Sequence, residues 1–537
     1  MQIAIRLTSP TWQTREVTEG TLHWRGAPGS VELLIEALAR TIGEGDDSVL
    51  NQVSGHWCAI LQTPTGTVAA QDPIRSWPLF RAQSSPTTIA FTDNIEEARA
   101  LADNPPRDEH AAMEFRHFGF VTGSETLFSG IHQLQAGEWF AVSPEGSQKN
   151  GVRLLPRHDA PGLIQEDGLN ATFSRALASA FDRLFSRVRD RQIVIPLSGG
   201  LDSRLLAIEM RDRGHTNVVN FTYGVGRTPE VNISEEVAKQ LGQRWEFVSY
   251  TQKQIREAWA SPAAAAFIRE SYAGASLPHI QDWYPVSQLK ALDLIDPDAV
   301  FLPGHTIVGN MHDEHILGAA GKMSPAALTD VLLDHHASLQ PTHSELLRSG
   351  QFLGKLNEFF DRINYDGSPS SRLDALEHWN VVERQTKYIN NSMRGYEHFG
   401  YEWALPMLDR EVLDVWGTFD MKIAQDREWY RRYVNSRYAK STGSAVSTFA
   451  TFAAANVSKT NRDKAKATLR AMGLLRRVER GLTARAYAQH PMGFQEFTGR
   501  ASPSEIRSFI MRGGQPMGIH AEEFLNDTWN THTEIFS

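Results

Sequence analysis

Gln192-Ile193-Val194-Ile195-Pro196-Leu197 runs directly into Ser198-Gly199-Gly200-Leu201-Asp202-Ser203. The first half is a short apolar run typical of a buried strand, and residues 201–213 have the pattern of a helix. Two glycines permit a tight turn that points successive backbone N–H groups at one spot, which the positive end of the helix also faces. The serine hydroxyls can donate to phosphate oxygens, and Asp202 suits Mg²⁺. The stretch predicts a cradle for a metal-bound polyphosphate.

This loop is not a Walker A sequence, because no Gly-Lys-Ser/Thr ends it. The structural alternative is a plain glycine turn in which Asp202 and Ser203 cap the helix. Its place between an apolar strand and a helix favours the nucleotide interpretation.

Strand and helix patterns continue to alternate on both sides of the loop. Apolar residues recur every three or four positions over 169–188, which predicts an amphipathic helix. Strands are predicted at 217–223 and 245–250, with a helix at about 232–241 between them. Such alternation is typical of a parallel sheet, whose ligands collect at the carboxyl ends of the strands. We therefore expect an α/β second half, with helices beyond about residue 320 extending it.

The first 150 residues have a different pattern, of short apolar runs separated by turn residues. It predicts an antiparallel β-sandwich with helices at 31–42 and 109–118. The proline-containing segment 156–168 is the predicted linker. We expect two domains, residues 1–160 and 161–537.

Composition narrows the class of protein. The chain has 537 residues, 41% hydrophobic and 22% charged, with a net charge of −9 and one cysteine, Cys58. Intrachain disulfides and cysteine-based zinc clusters are excluded, and the negative charge gives no general attraction to nucleic acid. No apolar run approaches ~20 residues, so no membrane span is expected. The first residues, Met1-Gln2, lack a signal-peptide pattern, and we expect a cytoplasmic protein.

The segment Ser198–Ser203 resembles the pyrophosphate-binding loop of the ATP pyrophosphatase (PP-loop) superfamily. With the β-rich first domain, the chain resembles the asparagine synthetase B family. Gln71-Asp72-Pro73 with Pro78-Leu79-Phe80, Phe128-Ser129-Gly130-Ile131 and Trp403-Ala404-Leu405-Pro406-Met407-Leu408-Asp409 are similar to family segments. Glu383-Arg384-Gln385 and residues 396–403 are most similar to the asparagine-synthetase-like amidotransferases of surface-polysaccharide biosynthesis.

The resemblance implies an α/β (α+β overall) fold. Its N-terminal part would be a degenerate Ntn-hydrolase-like β-sandwich, a glutamine-amidotransferase-like domain. Its C-terminal part would be a parallel-sheet adenine nucleotide α-hydrolase domain with a helical extension. The implied enzyme is a carbon–nitrogen ligase that uses ATP and Mg²⁺, activates a carboxylate as an acyl-adenylate and forms an amide, releasing AMP and diphosphate.

The resemblance also implies site residues. Asp202 would be catalytic, and Asp202 and Asp313 would bind the metal, although an insertion must be assumed before Asp313 matches the family's second loop. Charge that develops on the adenylate phosphate or the pyrophosphate requires a basic residue nearby. We take Arg384 as that catalytic residue, and Lys387, Arg394 and Lys422 are the other candidates. His305, His312 and His315 have a spacing that only weakly suggests zinc. The implied nucleotide-binding residues are Leu197, Ser198, Gly199, Gly200, Leu201, Asp202, Ser203, Thr222, Tyr223 and Gly304.

Glutamine-using relatives carry an N-terminal cysteine nucleophile, whereas the cysteine here lies in an apolar run at position 58. We expect the glutaminase chemistry to be lost and the nitrogen to come from ammonia or a substrate amine.

The identity of the substrate stays open. A sugar uronic acid is the first hypothesis, and lactam or macrolactam (lasso-peptide-type) synthesis and asparagine formation from aspartate are alternatives. A non-catalytic nucleotide-binding assembly protein is the alternative of another class. A homodimer is a further hypothesis.

Overall fold

A computed structural model describes most of the chain. It covers residues 1–85, 87–158, 166–309, 314–342, 345–348, 350–424, 427–444, 474–488, 490, 492–497, 502–529 and 533–536. No helix in these ranges combines the length and the apolarity that a membrane span needs.

The N-terminal part is a two-sheet sandwich. One sheet has the order β1-β7-β6-β8 and the other β10-β9-β5-β4-β3-β2, with every pairing antiparallel except β1 with β7. Apolar side chains such as Ile60, Phe91 and Phe140 fill the space between the sheets. The strands are β1 (Gln2–Arg6), β2 (Gln13–Val17), β3 (Gly20–Pro28), β4 (Gly55–Thr63), β5 (Gly66–Gln71), β6 (Phe80–Ser85), β7 (Thr88–Thr92), β8 (Ile131–Gln133), β9 (Glu138–Val142) and β10 (Gln148–Val152).

A five-stranded sheet in which every strand pair is parallel forms the centre of the second part. Its order is β13-β12-β11-β14-β15, so β11 lies in the middle. The strands are β11 (Ile193–Pro196), β12 (Val218–Gly224), β13 (Arg244–Ser249), β14 (Val300–Phe301) and β15 (Glu402–Trp403). The loop 198–203 follows the central strand, so it lies at the carboxyl edge of the sheet.

Helices cover both parts. Those of the sandwich are α1 (Val31–Glu44), α2 (Ile95–Leu101) and α3 (Glu109–Phe118). Around the sheet lie α4 (Glu166–Val188), α5 (Leu201–Asp212), α6 (Pro229–Leu241), α7 (Gln252–Trp259), α8 (Pro262–Ser271) and α9 (Trp283–Ala291). The extension contains α10 (Glu314–Leu317), α11 (Pro325–His336), α12 (Gly350–Arg362), α13 (Pro369–Trp379), the π-helix Asn380–Ile389, α14 (Met393–His398), α15 (Arg410–Gly417), α16 (Met421–Ala424), α17 (Glu428–Thr442), α18 (Leu475–Ala488), α19 (Pro503–Arg512) and α20 (Pro516–Leu525).

The predicted α/β class with an antiparallel β-sandwich is confirmed. The apolar stripe of α4 is buried from Leu169 to Val188, as its period predicts, except that Phe185 is only partly buried. Helix α3 has the predicted bounds, and α1 and α6 differ from theirs by two or three residues at one end. Residues 159–165 of the predicted linker lie outside the described residues, and the division at residue 160 stays a prediction.

Buried polar groups join the two parts. Glu397 pairs with Arg25 of β3 at 3.2 Å and with Arg394 at 2.9 Å, and it accepts a hydrogen bond from Trp77 Nε1 at 2.6 Å. Lys387 Nζ donates to the Gly123 carbonyl at 2.6 Å. Because buried charges are expensive unless paired, these contacts satisfy the charges that become buried where the two parts meet.

Candidate functional site

The loop 198–203 turns sharply between β11 and α5. Ser203 Oγ lies 3.1 Å from both the backbone nitrogen and the hydroxyl of Ser198. Gly200 is the N-cap of α5 and gives the helix end no side-chain cap. The first-turn N–H groups therefore face outward as a positive end that attracts an anion.

A second loop follows β14 and meets the first at Gly304. A Cβ atom there would lie 2.7 Å from the Ser203 backbone nitrogen and 3.2 Å from the Asp202 Cβ. The next residue, His305, closes a three-residue turn by donating its N–H to the Pro303 carbonyl at 2.9 Å. Only glycine lets the two loops approach this closely.

The two loops and the ends of β11 and β12 enclose a cavity of about 410 Å³, a volume typical of a small-molecule site. Seven of the predicted binding residues line it, whereas Gly199, Gly200 and Leu201, at the turn and the start of α5, are not among its lining residues. The seven are Leu197, Ser198, Asp202, Ser203, Thr222, Tyr223 and Gly304.

The strand-end side chains are tied to their neighbours. Thr222 Oγ1 donates to the Leu197 carbonyl at 2.7 Å, so that hydroxyl holds the two strand ends together. Tyr223 and Tyr396 donate their hydroxyls to the two oxygens of Asp282, at 2.7 and 2.5 Å. Burial and the nearby Asp282 carboxylate raise the pKa of Tyr223 well above its usual value. Both tyrosines therefore stay protonated and fix Asp282 in the cavity wall.

Asp202 pairs with an arginine that the sequence does not single out. The Arg427 guanidinium forms an ion pair with Asp202, and its carbon lies 5.1 Å from the centroid of the Tyr430 ring. Burial raises the pKa of Asp202, although Arg427 acts in the opposite direction. A cation therefore lies directly against the carboxylate of Asp202.

The carboxylate of Asp202 is an oxygen ligand of the kind Mg²⁺ prefers, and magnesium is often held by one or two carboxylates together with substrate phosphates. Asp313 and His312 lie outside the described residues, so the role of Asp313 stays a prediction. Within the described ranges, no three His, Cys, Asp or Glu side chains form a metal-binding cluster. A single carboxylate such as Asp202 therefore suits Mg²⁺ that is bound together with a nucleotide. The described residues contain no cluster that would support the zinc hypothesis.

The predicted basic residues lie in different places. Arg384 is half-buried beside His279 and Tyr388, and it is not among the residues that line the cavity. Lys387 and Arg394 are buried in the contacts with the sandwich, whose backbone carbonyls accept their hydrogen bonds. Lys422 is exposed. The catalytic role of Arg384 stays a prediction.

Cys58 lies in β4, opposite Gln71 in the neighbouring strand, and is fully buried. Burial raises the pKa of its thiol far above the usual value, so it is not a thiolate at neutral pH. The expectation of a buried core cysteine is confirmed.

Sequence reasoning missed Arg427 and Asp282, and did not assign His305 to the cavity. Asp282 reaches the cavity wall, and Arg427 reaches Asp202, only through tertiary packing, and no local motif surrounds either residue. His305 had a local signal, since it directly follows Gly304.

Known proteins resemble parts of this chain. Residues 172–291 match the family model for asparagine synthase. A probable glutamine-hydrolysing asparagine synthetase of Acanthamoeba polyphaga mimivirus is 52% identical over 54 residues, which is 10% of this chain and 10% of that protein. The chain thus matches about a tenth of the length of this relative.

Among solved structures, an NH3-dependent NAD synthetase from Campylobacter jejuni is similar at a TM-score of 0.22 and 11% identity. The match covers 42% of this chain and 96% of that one, a likeness too low to bear on function. The segment 172–291, which contains the loop 198–203 and three strands of the parallel sheet, is thus an asparagine synthase-like segment by sequence.

Proposed function

We propose that this chain is an ATP-dependent amide-forming ligase. It adenylates a carboxylate with release of pyrophosphate, and ammonia or an amine then displaces AMP. One observation carries the proposal: the glycine loop, the uncapped amino end of α5 and Gly304 meet in a single cavity at the carboxyl ends of parallel strands.

Each part of the cavity has a role in this proposal. The loop N–H groups and the hydroxyls of Ser198 and Ser203 bind the phosphates, and Leu197 and Tyr223 contact the adenosine. Asp202, with Asp313 as a proposed second ligand, would hold Mg²⁺, which when bound neutralises phosphate charge. Arg427 would exchange Asp202 for the departing pyrophosphate, a role supported by the partial exposure of both partners of this ion pair.

A sugar uronic acid is our first substrate hypothesis, because Glu383-Arg384-Gln385 and residues 396–403 resemble amidotransferases of polysaccharide biosynthesis. The cytoplasm would supply ATP, Mg²⁺ and the nitrogen donor. Cys58 is too deeply buried to release ammonia from glutamine, so we propose free ammonia or a substrate amine as the nucleophile. Lactam, macrolactam and asparagine synthesis are the alternatives within this chemistry.

The test is ATP–pyrophosphate exchange, which requires only the adenylation half-reaction. The full chain is incubated with MgATP, labelled pyrophosphate and, separately, glucuronate, galacturonate and L-aspartate. We expect exchange with one class of carboxylate and its loss in Asp202→Asn. Tight binding of α,β-methylene-ATP without exchange on any carboxylate would instead favour the assembly protein.

A further inference from the structure

His305 lies in the wall of the cavity that contains Asp202 and Ser203, one residue beyond the point where the two loops touch. Its Nδ1 atom lies 3.2 Å from the side-chain oxygen of Asn390. The ring is half-buried, and among the described residues its one ring hydrogen bond is that of Nδ1, so Nε2 has no partner there. One ring nitrogen is therefore held by the protein and the other is left for a ligand.

The neighbours of Asn390 fix the tautomer of His305. The Asn390 amide nitrogen faces the Ile74 carbonyl at 3.4 Å, and a carbonyl can only accept. The Asn390 oxygen must then face the opposite way, where it accepts from Gln385 Nε2 at 2.9 Å and from His305. The proton of the neutral imidazole is thus on Nδ1, and Nε2 carries the lone pair.

The protein keeps this imidazole neutral. Burial, reinforced by the neighbouring His279, lowers the pKa of His305 to about 4, although Asn390 and Asp282 oppose the shift. The Nε2 lone pair is therefore available throughout the neutral range.

We propose that Nε2 of His305 accepts the proton from the nitrogen nucleophile in the second half-reaction, and that Asn390 is its positioning residue. This inference rests on the proposed function. The nitrogen lone pair attacks the acyl carbon and the C–N bond forms. The bond between that carbon and the phosphate oxygen breaks, and AMP leaves with the electron pair. The nitrogen's proton passes to Nε2, and the resulting imidazolium returns it to water.

A weakly basic imidazole suffices for this step. As AMP leaves, the nitrogen becomes that of a protonated amide, which is a far stronger acid than an imidazolium. Proton transfer to His305 is then downhill, and the weakly basic ring is not trapped as a cation before the nucleophile attacks.

The sandwich takes part in this arrangement. Asp72 accepts hydrogen bonds from the backbone N–H groups of Ile74 and Ser76, at 3.0 and 3.2 Å, and so shapes the turn that presents the Ile74 carbonyl. The chain of contacts runs from Asp72 through Ile74 and Asn390 to His305. A segment of the first part thereby sets the protonation pattern of a residue in the second.

The test separates the two half-reactions in the full-length His305→Gln variant. The carboxylate that supports exchange in the wild type is used with ammonium chloride, and amide and AMP are measured. We expect exchange within about threefold of wild type and amide formation reduced roughly 100-fold or more, the usual contribution of a positioned base. In His305→Ala, added imidazole should restore part of the amide formation and leave exchange unchanged.

His215→Gln is the matched control, because His215 precedes β12 at the opposite edge of the sheet and its Nε2 atom contacts the Arg191 carbonyl. It should leave both half-reactions unchanged. An equal loss of exchange and amide formation in His305→Gln would make His305 a binding residue, and unchanged amide formation would remove its role altogether; either result overturns the inference. A wild-type chain without exchange would refute the proposed function instead.

Asn390 is tested by the near-isosteric Asn390→Leu and by Asn390→Asp. The leucine variant cannot accept a hydrogen bond from Nδ1 of His305. Its turnover number for amide formation should fall about tenfold, with little change in the KM for ATP. The aspartate variant keeps an acceptor toward Nδ1 and should recover part of that loss. Equal behaviour of the two variants would refute the positioning role.

Discussion

Gly304→Ala tests the close approach of the two loops. The added Cβ would lie 2.7 Å from the backbone nitrogen of Ser203 and 3.2 Å from two atoms of Asp202. Real Cβ atoms essentially never come within 3.0 Å of another heavy atom, and the nearest neighbour here is backbone, which cannot rotate away. The loops must therefore separate by at least several tenths of an ångström.

Two quantities should change. Overpacking of this kind costs about 1–3 kcal/mol of folding stability. Displacement of the first turn of α5 from the phosphate position should weaken nucleotide binding about 10- to 100-fold, since small misplacements are expensive at reacting centres. Isothermal titration with Mg²⁺ and α,β-methylene-ATP measures the affinity, and urea unfolding measures the stability.

Gly354→Ala in α12 is the matched control, because nothing lies within 4 Å of its added Cβ and its backbone is helical. It should stabilise the protein by about 0.5–1 kcal/mol and leave nucleotide affinity unchanged. If Gly304→Ala binds the analogue within twofold of wild type and unfolds at the same urea concentration, the close approach does not shape the site.

Three further predictions concern single side chains. Asp202→Asn removes the charge opposite Arg427 and should reduce exchange about 100-fold or more at similar stability; undiminished exchange would exclude a metal role. Burial alone would lower the pKa of His158, but Glu377, 2.8 Å away, raises it to about 9. The pair's stabilisation is thus full below the unfolded value of 6.5 and lost as pH rises through about 9. In urea unfolding, the free energy of unfolding of His158→Gln should be about 3–5 kcal/mol below that of the wild type near neutral pH or below. A difference between the two proteins that stayed constant above pH 9 would contradict the raised pKa of His158. Cys58 should react with iodoacetamide only after unfolding, and rapid labelling of the native chain would show that β4 is open.

Local patterns predicted the elements that bear most of the site. The apolar run before Ser198 and the helical pattern after Leu201 each follow from short-range periodicity, and the structure has both. The family resemblance implied Tyr223 and Gly304 as binding residues, the carboxyl-edge rule agrees with those positions, and both residues line the cavity. Sequence pattern and sheet topology are sufficient to predict the position of a residue that lies at the end of a strand.

Local pattern and sheet topology could not predict the positions of residues that are set by helix packing. Arg427 comes from the chain between α16 and α17, more than two hundred residues after its partner Asp202. Lys387 looked like a phosphate ligand by charge alone, yet it is buried beside Glu383 in the π-helix. Sequence spacing does not distinguish a cationic side chain that faces a ligand from one that neutralises a buried acid, because Lys or Arg serves in both places.

We propose a function for the sandwich that does not depend on glutaminase chemistry. Glutaminase chemistry would need a reactive thiol, whereas Cys58 is held as a neutral core side chain. The contacts that face the second part are instead polar and specific: the Gly123 carbonyl accepts from Lys387, and the Ile74 carbonyl faces the amide nitrogen of Asn390. Both acceptors are backbone groups, so their positions depend on the sandwich being folded and docked. If His305 is the proton acceptor, the sandwich acts as a wall that fixes its tautomer, a role that would survive any change in the source of nitrogen.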